Sequence, residues 1–226
     1  MSSILPVVET FHSLQGEGLH FGKSAFFIRL GGCTVGCPWC DTKESWPIRS
    51  QKQISTSDLA KEVKFAQSKG AEFVVLTGGE PLHHNLNKLC REIKALTTRK
   101  ESNPIAIHLE TSGVNAISGA INWITLSPKI HCHPKKSLLL ACDELKVVIH
   151  RKEDLAFAEE MAKLAKNEKQ TAYQTVTYKK QDILEPHLFL QPGWNSKEGT
   201  RLTIEYIKKH PQWRLSLQTH KWLEIL

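Results

Sequence analysis

Three cysteines with a C-x3-C-x2-C spacing, Cys33, Cys37 and Cys40, are the most distinctive chemical feature of this chain. They follow an apolar run and two glycines, as a short loop after a strand would. Thiolates are soft ligands that hold iron in iron–sulfur clusters. Because a cubane cluster contains four irons, a loop with three thiolates leaves one iron without a protein ligand. An open coordination site is typical of a catalytic metal centre, so the spacing predicts a catalytic iron–sulfur cluster.

A structural zinc site is the alternative for these cysteines. Such a site prefers four ligands, usually arranged as two separated pairs, and the chain has no second C-x2-C pair. The other candidate ligand group is Cys132 between His131 and His133, and no second spacing completes it. The ligand rules therefore favour an iron–sulfur cluster over zinc, and the role of the Cys132 group stays open.

A Gly-Gly-Glu-Pro turn at residues 78–81 is the second candidate for ligand binding. Glycines allow the backbone to approach a ligand closely and leave its carbonyl and amide groups unshielded. Backbone carbonyls together with the Glu80 carboxylate would suit an ammonium group. By itself such a sequence is more often only a turn. Its position is informative, because it follows directly on a strongly apolar segment, as the cysteine loop does.

Apolar segments typical of buried strands alternate with amphipathic segments typical of helices. This alternation indicates a mostly parallel sheet with right-handed crossovers. Strands are predicted at residues 6–11, 24–30, 72–77, 105–110, 123–126, 144–150, 187–190 and 213–217, and helices at 85–99, 152–166, 198–209 and from a Ser57 cap to Gly70. A complete eight-fold barrel takes about 250 residues. We therefore expect an α/β fold with an incomplete, TIM-like βα barrel.

Three polar segments fit this pattern poorly. Residues 43–55 are predicted to be irregular, and residues 131–142 and 170–186 to be insertions or minor strands. One charge also interrupts an apolar strand, at Arg29. A charged residue in such a strand usually lies near an end or is paired.

The polar residues at the strand ends indicate where a site would lie. The carboxyl ends of predicted strands carry Thr77, Glu110, Ser127, Gln191 and, after the last strand, His220. Open α/β sheets and barrels bind their ligands at this edge. The sequence therefore predicts a binding site there.

Length and composition indicate one domain over residues 1–226. The chain has 226 residues, of which 40% are hydrophobic and 23% charged, an ordinary globular balance. No apolar run approaches the length of a membrane span, and the N-terminus lacks a signal pattern. We therefore expect a cytoplasmic protein without a membrane partner. Its six cysteines are better explained as metal ligands or buried thiols than as disulfides.

The net charge of +7 and the pI of about 9.1 favour an anionic partner only weakly. The basic residues recur at helical spacing, which is typical of solvated helix faces. No nucleic-acid-binding module is present, so we expect no nucleic-acid partner. Attraction of an acidic electron carrier is the second interpretation.

The cysteine loop and the Gly-Gly-Glu-Pro turn, each after a predicted strand, together resemble the cofactor-binding motifs of the radical S-adenosylmethionine (SAM) superfamily. The resemblance implies a 4Fe–4S cluster bound by Cys33, Cys37 and Cys40. It implies that the open iron chelates the amino and carboxyl groups of SAM. It also implies the incomplete barrel of the radical SAM type.

Further motifs narrow the resemblance. They are the segment 9–18 (Glu-Thr-Phe-His-Ser-Leu-Gln-Gly-Glu-Gly), Arg29, Cys40-Asp41-Thr42 and Gln218-Thr219-His220-Lys221. Together they resemble the 7-carboxy-7-deazaguanine synthase family over residues 9–226. The resemblance implies ring contraction of 6-carboxy-5,6,7,8-tetrahydropterin to 7-carboxy-7-deazaguanine and ammonia, in queuosine and 7-deazapurine biosynthesis. It also implies that SAM is regenerated and acts as a cofactor.

The same resemblance implies ligands and partners. The SAM-binding residues would be Trp39, Cys40, Asp41, Gly78, Gly79, Glu80, Ser127, Pro128, Lys129, Gln191 and Pro192. The pterin-binding residues would be Leu14, Gln15, Gly16, Glu17, Arg29, Thr77, His220 and Leu226, the last through its carboxylate. Mg²⁺ would be bound by Thr42 and the substrate carboxylate, and this ion commonly uses few protein ligands. A homodimer is implied, with flavodoxin or ferredoxin as the electron donor.

Two alternatives share part of these motifs. A short radical SAM glycyl-radical activase has the cysteine loop but must admit a polypeptide. It would not need Gln15-Gly16-Glu17 or a C-terminal tail over a small ligand. A non-catalytic iron–sulfur or zinc-binding module is the alternative of a different class, and metal analysis separates it.

Overall fold

The computed structural model describes residues 3–98, 104–175 and 185–226. Within these residues one sheet of nine strands has the order β3-β1-β2-β4-β5-β6-β7-β8-β9. The strands are β1 (Ile4–Leu14), β2 (Ser24–Leu30), β3 (Lys52–Ser55), β4 (Phe73–Gly78), β5 (Ala106–Thr111), β6 (Trp123–Leu126), β7 (Glu144–Ile149), β8 (His187–Pro192) and β9 (Trp213–Leu215).

Strand β2 and strands β4 to β9 run parallel, each paired with the next, whereas β1 is antiparallel to both β2 and β3. The helices are α1 (Thr56–Ser68), α2 (Asn87–Thr97), α3 (Lys136–Ala141), α4 (Lys152–Thr175), α5 (Lys197–Ile207) and α6 (Thr219–Leu223). Short 3-10 turns cover Lys43–Ser45 and Pro81–His83. The predicted α/β fold with a mostly parallel sheet is confirmed, and it is consistent with an incomplete TIM-like barrel.

Apolar side chains of the central strands form one side of the hydrophobic core. The side chains of Ile28 and Leu76, on the neighbouring strands β2 and β4, are both 0% exposed. Apolar side chains of α1, α2 and α4 join them in one buried cluster, among them Leu59, Ile93 and Met161. Burial explains why these strands are nearly continuous apolar runs in the sequence. Among the described residues, no helix combines the length and the apolar composition needed to cross a membrane.

Two strands differ from the prediction because antiparallel pairing orders polar segments. Strand β1 extends to Leu14, which pairs with Ser24 of β2. Strand β3 lies within residues 43–55, predicted to be irregular, and pairs with β1 from Ile4 to Val7. Neither segment is a buried apolar run, so local hydrophobicity does not reveal the pairing.

Helix boundaries also differ from the prediction. The cap of α1 is Ser55 rather than Ser57, because the Ser55 hydroxyl accepts a hydrogen bond from the Asp58 amide at 3.1 Å. Helix α5 begins at Lys197, where Ser196 caps it.

Residues 131–142 contain helix α3, which buries Leu138 and Leu139, so the minor strand predicted there is wrong. Helix α4 continues to Thr175, past the predicted end at residue 166. Helix α2 ends at Thr97, and the predicted end at residue 99 lies outside the described residues, as does most of 170–186.

Gly78, the last residue of β4, lies directly beside Leu30 at the end of β2. Its φ is +133°, and a Cβ built on it would lie 2.1 Å from the carbonyl oxygen of Leu30. Only glycine permits this approach, because the obstructing atom is backbone of the neighbouring strand. The Gly79 amide donates to Leu30 O at 2.8 Å, and the Glu80 amide donates to Gly32 O at 2.9 Å. The segments after β2 and β4 are therefore held against each other.

We expect Gly78→Ala to lower the free energy of unfolding by about 2–4 kcal/mol, the sum of backbone strain and overpacking. Gly22→Ala is the matched control, since Gly22 also has a positive φ, +82°, but open space around its Cβ position. It should cost only about 1–2 kcal/mol of conformational strain. Urea unfolding of both variants measures the difference, and equal losses would contradict the proposed clash.

Candidate active site

A cavity of about 880 Å³ opens at the carboxyl edge of the parallel sheet. Its wall includes all five polar strand-end residues singled out in the sequence: Thr77, Glu110, Ser127, Gln191 and His220. The three cysteines of the C-x3-C-x2-C loop lie on the same wall. The structure thus brings the thiols and the strand-end polar groups to one site, as parallel strands require.

Most of the residues predicted to bind SAM, pterin or Mg²⁺ lie on this wall. They are Gln15, Gly16, Glu17, Arg29, Trp39, Cys40, Asp41, Thr42, Thr77, Gly78, Gly79, Glu80, Ser127, Lys129, Gln191, His220 and Leu226. In the described part of the chain, Leu14, Pro128 and Pro192 do not line the cavity. Leu14 is 40% exposed at the end of β1.

The cysteine loop is ordered by bonds to the residues that follow it. The Gly32 amide donates to Ser45 O at 2.7 Å, and the Cys33 amide donates to Trp46 O at 3.2 Å. The Trp46 indole NH donates to Cys40 Sγ at 3.3 Å. This bond fixes the Cys40 sulfur relative to the Trp46 ring.

The three thiols suit a cluster of several irons. Cys33, Cys37 and Cys40 are free and half-buried, and burial raises the pKa of both Cys33 and Cys37. Metal binding would therefore release protons from these thiols. Among the described residues, no three His, Cys, Asp or Glu side chains converge closely enough to bind one metal ion. The ligands of a cubane attach to different irons, so they need not converge on one point.

Glu80 ties the end of β4 to the end of β5. Its carboxylate is buried and accepts hydrogen bonds from the Thr111 hydroxyl at 2.5 Å and from the Ser112 amide at 2.8 Å. It also accepts from the Ser112 hydroxyl and, at 3.1 Å, from the Leu82 amide. Four protein donors match the hydrogen-bonding capacity of one carboxylate. Its contact with a ligand ammonium stays a prediction.

A second group of polar residues lies on the same wall and comes from β2, β4, β5 and the segment after β1. The Gln15 side-chain amide donates to Glu110 Oε1 at 3.0 Å, and the Thr77 hydroxyl donates to Glu110 Oε2 at 2.9 Å. Arg29, near the end of β2, pairs with Glu9 at 2.8 Å. A charged residue in an apolar strand is expected to lie near an end or to be paired, and Arg29 does both.

Lys146 is a buried cation in the floor of the cavity. It projects from β7, with a side chain only 6% exposed, and forms an ion pair with Glu17. Its interactions with Glu17, Glu110 and Glu144 raise the pKa of Lys146 despite burial. In the same pair, Lys146 lowers the pKa of Glu17 against the larger opposing effect of burial. The pair is therefore ionised at neutral pH.

Lys146 is absent from the residues predicted from the sequence. The signal was available, because a lysine within the apolar segment Glu144–Ile149 is the same anomaly as Arg29. Local sequence could not supply its partners, since Glu17 lies 129 positions away.

The last residues of the chain close one side of the cavity. The Thr219 amide and hydroxyl donate to Gly16 O at 3.1 and 2.7 Å. Gly16 packs against the His220 ring so closely that a Cβ would lie 2.4 Å from Nδ1. Ile225 and Leu226 then reach the wall. Burial is the main cause that lowers the pKa of His220, which favours the neutral imidazole.

The Cys132 group does not form a ligand set in the part of the chain that the structure describes. His131 bonds to Val35 O at 3.1 Å and packs edge-on against Trp39. His133 instead packs against Phe157. The two histidines therefore have separate packing partners.

Comparisons with known proteins agree with this site. A family model described as the Radical SAM superfamily matches residues 27–176. A 7-carboxy-7-deazaguanine synthase from Prochlorococcus marinus is 67% identical over 226 residues, covering 100% of both chains. One from Synechocystis sp. is 41% identical over 221 residues, covering 97% of this chain and 93% of the relative. The crystal structure of QueE from Escherichia coli superposes with a TM-score of 0.73 at 31% identity, covering 95% of this chain and 93% of that one.

The parallel sheet, the three-thiol loop at its carboxyl edge and the superfamily match define a radical SAM enzyme. The cofactors of this class are a 4Fe–4S cluster and SAM. With full-length relatives at 67% and 41% identity, the chain belongs to the 7-carboxy-7-deazaguanine synthase family, whose members are lyases. The resemblance drawn from the motifs is confirmed.

We expect Lys146→Met to lower the free energy of unfolding by about 3–5 kcal/mol at neutral pH, because it leaves buried carboxylates without a cation. A lowered pKa stabilises the fold above the ordinary Glu pKa, and this contribution is lost as the pH falls. Without Lys146, burial raises the pKa of Glu17 instead. The defect should therefore shrink as Glu17 becomes protonated at low pH.

Urea unfolding at pH 5 and pH 8 measures this dependence. The double variant Glu17→Gln, Lys146→Met removes both charges and should recover part of the loss. A defect of the same size at both pH values, with no recovery in the double variant, would refute the role of the charge pair.

Proposed function

We propose that this chain converts 6-carboxy-5,6,7,8-tetrahydropterin to 7-carboxy-7-deazaguanine and ammonia, in queuosine or other 7-deazapurine biosynthesis. The observation that carries the proposal is one cavity that joins the thiol loop to the polar group of Gln15, Thr77 and Glu110 beneath the C-terminal tail. When bound, the cluster and SAM would supply one-electron radical chemistry directed at the pterin, and the residues of the wall would hold and orient both. Residues 1–226 act as one catalytic domain in this proposal.

The thiol side of the cavity is assigned to the cluster and SAM. Cys33, Cys37 and Cys40 would hold the cluster. SAM would lie along the segments 39–41, 78–80 and 127–129 and against Gln191, all represented on the wall. Lys129 is held towards this side by its bond to the Ser127 hydroxyl at 2.8 Å. The work of these residues is to orient the cofactor and exclude water from it.

Other residues of the same wall are assigned to the pterin. They are Gln15, Gly16, Glu17, Arg29, Thr77, His220 and the terminal residue Leu226. A guanidinium such as that of Arg29 suits a substrate carboxylate. The terminal carboxylate would accept hydrogen bonds from the guanidine-like edge of the pterin. Leu14 lies outside the wall, and its contact with the pterin stays a prediction.

Thr42 is assigned to Mg²⁺ together with the substrate carboxylate. Its side chain lies on the cavity wall, and its hydroxyl lies 3.7 Å from Cys40 Sγ. A hydroxyl is a hard oxygen ligand, and Mg²⁺ usually keeps several waters beside one or two protein ligands. The ion would orient the substrate carboxylate close to the cluster loop.

The proposed partners are a second copy of the chain and an electron donor. No membrane or nucleic-acid partner is proposed. A homodimer is supported by large apolar side chains exposed near the C-terminus, such as Leu215 and Trp222 at 43% and 73%. Flavodoxin or ferredoxin would be attracted by the net charge of +7. A cytoplasmic location matches this reductant.

The reaction is tested with protein reconstituted under strict anaerobiosis and given SAM, dithionite, Mg²⁺ and 6-carboxytetrahydropterin. We expect 7-carboxy-7-deazaguanine by mass spectrometry, with several turnovers per SAM. Formation of 5′-deoxyadenosine without deazaguanine would mean that the substrate is wrong, as for a glycyl-radical activase. Absence of both products with a fully loaded cluster would favour a non-catalytic module.

We expect Thr42→Val to weaken activation by Mg²⁺ at least about tenfold, because a direct ligand is lost. The Mg²⁺ concentration for half-maximal rate measures this effect. Thr34→Val is the matched control, since Thr34 lies in the same loop but bonds to His83 at 3.0 Å and does not line the cavity. Identical Mg²⁺ titrations for both variants would refute the assignment.

A further inference from the structure

Lys221 connects the C-terminal tail, residues 218–226, to the loop that carries the cysteines. Its ammonium forms an ion pair with the carboxylate of Asp41, the residue directly after Cys40. The same ammonium lies 5.0 Å from the ring centroid of Trp194, which follows β8. A single side chain therefore contacts the cysteine loop, the end of β8 and the tail.

The tail has few other attachments among the described residues. Helix α6 spans five residues, and none of them is buried. Besides Lys221, the tail is attached by the two Thr219 bonds to Gly16 O and by a weak Gln218 bond to Asp41 at 3.4 Å. His220 also packs against Gly16, and Trp222 packs edge-on against Trp194. An isolated helix of this length is unstable in water. Its position over the cavity therefore depends on these contacts.

Neighbouring residues near the start of the tail contact different segments of the cavity wall. Thr219 and His220 face Gly16 on the β1–β2 loop, which belongs to the proposed pterin side. Lys221, the next residue, faces Asp41 on the cysteine loop. The side chains of Asp41 and Lys221 are 48% and 20% exposed, so the pair can open without unfolding the core. Closing the tail over a pterin thus places a cation against the loop that holds the cluster.

The geometry points to Lys221 as a positioning residue that couples pterin binding at the tail to SAM binding at the cysteine loop, through its ion pair with Asp41. The inference rests on the proposed contacts of the tail with the pterin. Coupling of two sites is reciprocal, so a pterin that closes the tail should tighten SAM binding, and SAM should tighten pterin binding. A tail that only shields the cavity would leave SAM affinity unchanged.

The first measurement is hydrogen exchange of the unliganded, cluster-loaded protein, without turnover. We compare the wild type with Lys221→Met, which keeps the aliphatic stem but loses the charge, and with Lys221→Arg, which keeps the ion pair. Lys221→Met should exchange faster in peptides of the tail and of residues 33–46, whereas Lys221→Arg should resemble the wild type. Lys61→Met is the control for loss of an ion pair away from the site. Lys61 pairs with Asp58 at 2.7 Å on α1, with both side chains more exposed than those of Lys221 and Asp41.

The second measurement is the Kd of SAM for the oxidised cluster-loaded protein, by calorimetry, with and without the pterin. We expect the pterin to tighten SAM binding by the wild type, Lys221→Arg and Lys61→Met. In Lys221→Met this enhancement should fall by about two- to fivefold, the range expected for a partly exposed ion pair. During turnover the same variant should release more 5′-deoxyadenosine per deazaguanine.

Two outcomes would overturn the inference. Unchanged exchange in Lys221→Met would mean that the ion pair does not join the segments. Faster exchange in Lys221→Met together with full enhancement of SAM affinity would mean that Lys221 only holds the tail in place and does not couple the two sites. Failure of the wild type to bind the pterin at all would overturn the proposed substrate, and the exchange experiment, which needs no pterin, distinguishes that failure from failure of the ion pair.

Discussion

The close approach of β2 and β4 is the constraint on which the site depends. Parallel pairing places Leu30 beside Gly78, so the segments that follow both strands leave the sheet at the same edge. The Gly79 and Glu80 amides then bond to the backbone of residues 30 and 32. These bonds form only because Gly78 has no side chain. The cysteine loop and the Gly-Gly-Glu-Pro turn are thereby adjacent before any cofactor binds.

The part of the site around Glu17 depends on buried charge rather than on backbone contact. Glu17, on the β1–β2 loop, forms an ion pair with Lys146 of β7. The side-chain amide of Gln191, on β8, also donates to Glu17 at 3.3 Å. A buried ion pair contributes little net stability, but it is costly to break. It therefore favours the one arrangement in which the β1–β2 loop lies over β7. This arrangement holds Gln15 and Gly16 at the cavity.

The sequence predicted the parts of the structure that are encoded locally. The buried strands Ser24–Leu30 and Trp123–Leu126 have the predicted bounds, because apolar runs between turn residues define them. The three thiols and the strand-end polar residues were found from their types and positions. Parallel topology alone then requires that they meet.

The remaining parts depend on partners far away in sequence. Strand β3 is polar and forms only because β1 offers an edge. The role of Lys146 depends on its ion pair with Glu17, which lies 129 positions away in sequence. The role of Asp41 likewise depends on Lys221, which lies 180 positions away. Ion pairs of this kind leave no local periodicity. A charge within an apolar strand signals that a partner exists, but only the fold identifies it.

The C-terminal tail, residues 218–226, completes the wall of the cavity. It can take this position only after the rest of the wall has folded. Helix α6 is too short to form alone, so the tail can settle only after the β1–β2 loop, the cysteine loop and the end of β8 are in place. Its contacts are hydrogen bonds to Gly16, one partly exposed ion pair and the edge-on packing of Trp222 against Trp194. Segments held by few buried contacts open at a lower free energy than the core. The wall formed by the tail is thus the part of the site best suited to open for a substrate and close again.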